Sequence, residues 1–168
     1  RIHLDMNNAV RTAMSQSKVP YGFFTFASRH YAYNRNRTVL HSDIGKTAFE
    51  LRHGSPFKHK DRLRVFGCRA LFLLEKDKRK KFSESSAEGV LLGYCKGGYE
   101  ILDLERYIKT GNIHESVRHT RDVRFYESEF PFRQVNKSVI PEFDAKIVSA
   151  ENDTCRICNK IKSEAPMR

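Results

Sequence analysis

Arg62-Leu63-Arg64-Val65-Phe66-Gly67-Cys68 is the stretch on which the reading of this chain turns. It sets β-branched and aromatic residues in a short run, with a glycine where the backbone must bend and charged residues on the way in. That is the composition of a strand opening a sheet. Gly89-Val90-Leu91-Leu92-Gly93-Tyr94 and Thr120-Arg121-Asp122-Val123-Arg124-Phe125 carry the same character downstream. The pattern predicts a first strand over 63–74 and a second over 89–95. Gly97-Gly98 then predicts a tight turn with both residues at positive φ, leading to a third strand over 99–104. A longer excursion through Gly111 leads to a last strand over 114–126. Short strands joined by turn signals suit a small barrel.

Upstream the hydrophobic period becomes helical. Ile2, Met6, Ala9, Val10, Ala13 and Met14 form one apolar stripe, which predicts a helix within 1–14. Pro20 suits a first helical turn, and Phe23, Phe24, Ala27 and Tyr31 share one side of a second helix over 20–36. Thr47-Ala48-Phe49-Glu50 has the form of a capping box, and Gly54 ends a short third helix over 47–53. From Arg133 on the periodicity fades into prolines and scattered charges, the pattern of a linker or flexible tail.

Composition bounds the function. With 39% hydrophobic and 30% charged residues in 168, a modest core with a long polar periphery is expected. No run of ~20 apolar residues and no charged-then-apolar leader is present, so neither membrane spanning nor secretion is expected. The opening on Arg1, directly into helical periodicity, reads as a fragment. The four cysteines are expected to be reduced. Cys155-Arg156-Ile157-Cys158 is half a zinc site with no second pair after it, and Cys68 and Cys95 fall in predicted strands as small core residues.

Charge is the second signal. Lys and Arg number 31 against 20 Asp and Glu, a formal +11. From Arg52 to Lys81 there are 11 basic and 3 acidic residues. Basic groups within a Debye length of one another add their potentials, so a polyanion suits this segment better than bare solvent. The candidate DNA-binding residues are Lys58, Lys60, Arg62 and Arg64, leading into the first strand, and Lys76, Lys78, Arg79, Lys80 and Lys81, leaving it. The lysine run also has the form of a nuclear localisation signal.

In their order and spacing, the three strand motifs resemble the SH3-like barrel that follows the catalytic core in the integrase of copia-type LTR retrotransposons. Arg64-Val65-Phe66-Gly67-Cys68, Lys81-Phe82, Leu92-Gly93-Tyr94 and Arg121-Asp122-Val123-x-Phe125-x-Glu127 match that pattern. Upstream, Arg1, Arg11, Thr12, Met14, Val19-Pro20, Phe23-Phe24, Ala27, Tyr33, Asn36-Arg37, Thr47 and Glu50 also match. His3 stands at the family's Asn, Phe24 and Arg52 at its tryptophans, and Ala48 at its Pro.

The resemblance implies an α+β chain. Its helices over 1–54 would be the end of an RNase H-like integrase core, followed by an SH3-like β-barrel over 55–130 and a linker or disordered tail over 131–168. The helices would then carry an apolar stripe with nothing to cover it, so a fragment starting near Ser55 is expected to be the more soluble. The family's catalytic Glu would stand just before Arg1, so this chain alone is expected not to be catalytic. Mg²⁺ or Mn²⁺ would serve only the full integrase. DNA and the remainder of the Pol polyprotein are the implied partners, with an oligomer in the full integrase and a location in the nucleus and in cytoplasmic particles.

Integrase chemistry needs three carboxylates around two metals. Asp5, Asp43 and Asp61 lack the matching context, and Asp122 is expected to pair with Arg121 or Arg64. The alternative is a free-standing or domesticated SH3-like interaction module, gripping peptides through Tyr94, Tyr99, Tyr107 and Phe125.

Overall fold

The computed structural model describes residues 2–74 and 85–135. Helix α1 (Ile2–Ser17) and helix α2 (Phe24–Thr38) are followed by the short helix α3 (Ala48–His53). Five strands come next: β1 (Arg69–Leu73), β2 (Ser86–Cys95), β3 (Gly98–Asp103), β4 (Val117–Thr120) and β5 (Val123–Tyr126). Helices α4 (Leu104–Thr110) and α5 (Ile113–Ser116) separate β3 from β4, and α6 (Pro131–Gln134) closes the described chain. The α+β layout read from the sequence is therefore present.

The strands form one antiparallel sheet in the order β4-β3-β2-β1-β5. The ladder runs from β4 to β5 without joining its two ends, so among the described residues the sheet is open and does not close as the expected barrel. Four-residue outer strands offer too few ladder positions to complete a cylinder.

Strand β2 explains how the rest is arranged. Residues Gly89 to Gly93 are all buried, so this strand is covered on both faces, as its unbroken Val90-Leu91-Leu92 run requires. Leu91 joins Cys68, Ala70, Phe72, Ile101 and Phe130 on one side of the sheet. Val90 and Leu92 join Leu102 on the other side, packed against Val10 of α1, Phe23, Ala27 of α2 and Tyr107 of α4. The register slips between Leu91 and Gly93, so Leu92 is the extra residue of a bulge that sharpens the local twist.

The helices are thus not left with a bare stripe. Val10, Phe23 and Ala27 are at most 2% exposed because the sheet covers them, which corrects the expectation of an orphaned helical face. The core crosses the division drawn between 54 and 55. It also extends past 130: Pro131 and Phe132 are buried, so 131–135 belongs to the packed chain. The rest of the expected tail, from 136 on, lies outside the described residues.

Local chemistry sets the boundaries. Thr47 Oγ1 accepts from the Glu50 amide at 3.1 Å and Gly54 takes φ 73°, which fixes α3 as read. The first strand starts at Arg69 rather than Leu63, because a 3₁₀ turn at Lys60–Arg62 and Gly67 at φ 75° hold the preceding chain off the ladder. The β2–β3 hairpin turns on Lys96 and Gly97, with Gly97 alone of the two glycines at positive φ. Gly98 is needed for another reason: a Cβ there would come 2.6 Å from the Thr120 carbonyl oxygen. The long last strand is really α5, β4 and β5, broken by the Asn112 cap and by the bend at Arg121-Asp122.

Candidate nucleic-acid interface

Lys58, Lys60 and Arg62 are exposed, on a segment that carries only Asp61 as an acid between 58 and 64. A short basic loop is ordinarily mobile. This one is hooked to the fold by three ring side chains that hold its backbone.

The Tyr94 hydroxyl from β2 accepts from the Arg64 amide at 2.7 Å and faces the Arg64 carbonyl at 3.2 Å. The Tyr99 hydroxyl from β3 donates to the Arg62 carbonyl at 3.3 Å. His30 of α2 places Nε2 3.0 Å from the Arg64 carbonyl, an acceptor only, so Nε2 carries the proton. His30 is buried, stacked on Tyr94 at 5.2 Å and edge-on to Phe66 at 5.5 Å. Burial brings its pKa down to about 4, only partly offset by the hydrogen bond to Arg64, so the ring is neutral at pH 7. Burial likewise pushes the Tyr94 phenol up to about 12 and keeps it a donor.

Arg64 faces inward. Its guanidinium donates to the carbonyls of Asp61, at 2.5 Å, and Leu63, at 3.0 Å, and pairs with Glu127 at 3.4 Å. Its charge is therefore largely spent in shaping the loop. Glu127 occupies the role expected of Asp122, which is exposed on the β4–β5 bend. Lys76, Lys78, Arg79, Lys80 and Lys81 lie outside the described residues, as do Cys155 and Cys158.

No carboxylate cage accompanies the loop. Asp5, Asp43 and Asp61 sit on α1, on the α2–α3 connection and on the 3₁₀ turn. Among the described residues no three His, Cys, Asp or Glu side chains gather as a metal-binding group, so these residues do not fit a divalent-metal pair. Cys68 is fully buried, its thiol pushed up to about 12 by desolvation first and then by Glu127, so it is a core residue rather than a nucleophile. Cys95 is half-buried.

Residues 68–138 match the retroviral polymerase SH3-like domain family. The match covers less than half of the chain. That domain begins at the residue after Gly67, and its strand order joins the first strand to the last, β5 pairing β1. Beyond the domain, the chain is 27% identical over 164 residues to the "Retrovirus-related Pol polyprotein from transposon TNT 1-94" of Nicotiana tabacum. The match covers 92% of this chain and 11% of that polyprotein, so the chain spans about a ninth of the relative's length. No solved structure matches. The chain is accordingly similar to a stretch of a retrotransposon Pol polyprotein, its helices included in the similarity.

Two features of the SH3-like domain escaped the sequence reading. Helix α4 was signalled by Asp103, whose side chain caps the Arg106 amide at 3.1 Å, and by Gly111 at φ 69°. The hooks were not legible: a tyrosine in a strand gives no sign of which distant carbonyl its hydroxyl meets.

Proposed function

We propose that the chain is the DNA-binding, C-terminal accessory portion of a copia-type integrase within a retrotransposon Pol polyprotein, supporting DNA integration without being catalytic by itself. The observation that carries this reading is a basic loop with a pre-arranged backbone: Lys58, Lys60 and Arg62 exposed, with the Arg62 and Arg64 carbonyls tied to Tyr99, Tyr94 and His30. Fixed cations suit phosphates, because the backbone order is already in place before binding. Among the described residues no recognition helix accompanies them, so the contact in this reading is with the sugar-phosphate backbone and independent of sequence.

Lys76, Lys78, Arg79, Lys80 and Lys81 extend the same grip in this reading, or address the protein to the nucleus. Mg²⁺ or Mn²⁺, the catalytic carboxylates and oligomerisation belong to the upstream part of the full integrase. The rival reading, a peptide-gripping SH3-like module, needs free aromatics. Tyr107 is 1% exposed, and Tyr94 is stacked on Tyr33 at 4.2 Å and tilted against Tyr99 at 5.9 Å, so those rings are already engaged.

Charge reversal tests the proposal. In a fluorescence-anisotropy titration on duplex DNA at several salt concentrations, the triple variant Lys58→Glu, Lys60→Glu, Arg62→Glu loses affinity. Its slope of log K against log salt flattens by about 0.9 for each phosphate contact removed. Unchanged affinity and slope would refute the assignment of this loop to DNA.

A further inference from the structure

The three exposed cations are suspended between two ends of one chain of cation and ring contacts. At the front end, Phe57 meets Phe49 edge-on at 5.2 Å. The Arg37 guanidinium, from the last turn of α2, lies 5.2 Å from the Phe57 ring, 5.1 Å from Phe49 and 3.4 Å over Tyr33. Tyr33 stacks on Tyr94 at 4.2 Å, Tyr94 is tilted against Tyr99 at 5.9 Å, and Tyr99 meets Phe125 edge-on at 4.7 Å. The chain ends on Arg64, 5.5 Å over the Phe125 ring. Phe57 and Arg64 bracket Lys58, Lys60 and Arg62.

Arg37 is the joint of this arrangement. One guanidinium lies within cation–π distance of rings from α2, from α3 and from the loop. It also donates through Nη1 to the Tyr33 carbonyl at 3.0 Å. Its Nε is buried with no hydrogen-bond partner among the described residues, so the rings and the single bond to the Tyr33 carbonyl are what hold it. The Tyr94, Tyr99 and His30 hooks fix only the Arg62–Arg64 end of the loop. Nothing but the Arg37 group fixes the Phe57 end in the contacts described.

We infer that Arg37 is a positioning residue for the basic loop: by bridging Phe57 and Phe49 to Tyr33, it sets where Lys58 and Lys60 stand before a polyanion arrives. This deepens the proposed DNA contact and rests on it. The clamp does not touch the nucleic acid. Its effect is on the entropy of the loop, not on the number of phosphates met.

Arg37→Lys and Phe57→Leu keep the net charge and take away the planar stacking. In the full chain, both are expected to speed amide hydrogen exchange over 57–62 while leaving exchange in β2 and β3 unchanged. Affinity for duplex DNA falls by about tenfold, the cost of ordering a few residues on binding, with the salt slope unaltered because the same contacts form in the end. The two variants guard against one of them misfolding. Unchanged exchange over 57–62 would show that no clamp exists, and faster exchange with wild-type affinity would show that it positions nothing for DNA. A flattened salt slope would show that phosphate contacts are lost rather than merely ordered at a cost, and would overturn the purely positioning role. Failure of the underlying DNA reading is separately visible, since the Lys58, Lys60, Arg62 triple variant would then bind like wild type; the exchange data still judge the clamp.

Discussion

Acidification should destabilise this fold through a single imidazole. His30 is neutral in the folded chain because burial holds its pKa near 4, against an ordinary value of 6.5 in the unfolded chain. The unfolded chain therefore takes up the proton first as pH falls. Above pH 6.5 the group contributes its full share; between 6.5 and 4 that share drains away, and below 4 both states are protonated and nothing more is lost. At ~1.4 kcal/mol for each pH unit between the two values, the total is about 3 kcal/mol, a large part of an ordinary domain's stability. Carboxylates titrate in the same window, so the effect is best isolated by comparison with His30→Phe. That variant keeps a ring against Tyr94 and Phe66 and gives up the bond to the Arg64 carbonyl, which Tyr94 also faces. Urea unfolding of both proteins between pH 7.5 and 4 should show wild type losing about 2–3 kcal/mol more than the variant, most of it below pH 6.5. Parallel stability curves would refute the burial argument, since a histidine that charges freely in the fold has no such linkage.

Two further outcomes follow from the shared core. Residues 55–135 made without the helices should give no cooperative thermal transition, because Val90, Leu92 and Leu102 would be exposed to water; a sharp transition by circular dichroism would show that the sheet stands alone. Gly67→Ala should destabilise by about 3 kcal/mol or more in denaturant unfolding, combining a left-handed backbone at φ 75° with a Cβ driven into Ser17, only 2.9 Å from its Oγ.

What the sequence shows follows from range. Helix periods, the Thr47 cap, Gly54 and the β2 run are local signals, and each lies where it was read. The start of β1 was misjudged because Val65 and Phe66 have strand composition, while the geometry is decided by Gly67 packing on Ser17, fifty residues earlier. The covering of the helical stripe by β2 and β3 is likewise a long-range fact. Three of the four described candidate cations are exposed; the fourth, Arg64, is indistinguishable from them in sequence and differs because Glu127 and two carbonyls meet it in space.

The open sheet has a consequence for crowded copies of such a chain. An unclosed sheet presents unpaired amides and carbonyls along its outer strands, an invitation to edge-to-edge growth. Here each margin is only four residues long, β4 carrying Arg118 and His119 and β5 carrying Arg124. Two copies approaching margin to margin would bring like charges together over too few rungs to compensate. Brevity and positive charge guard these strands in place of a partner.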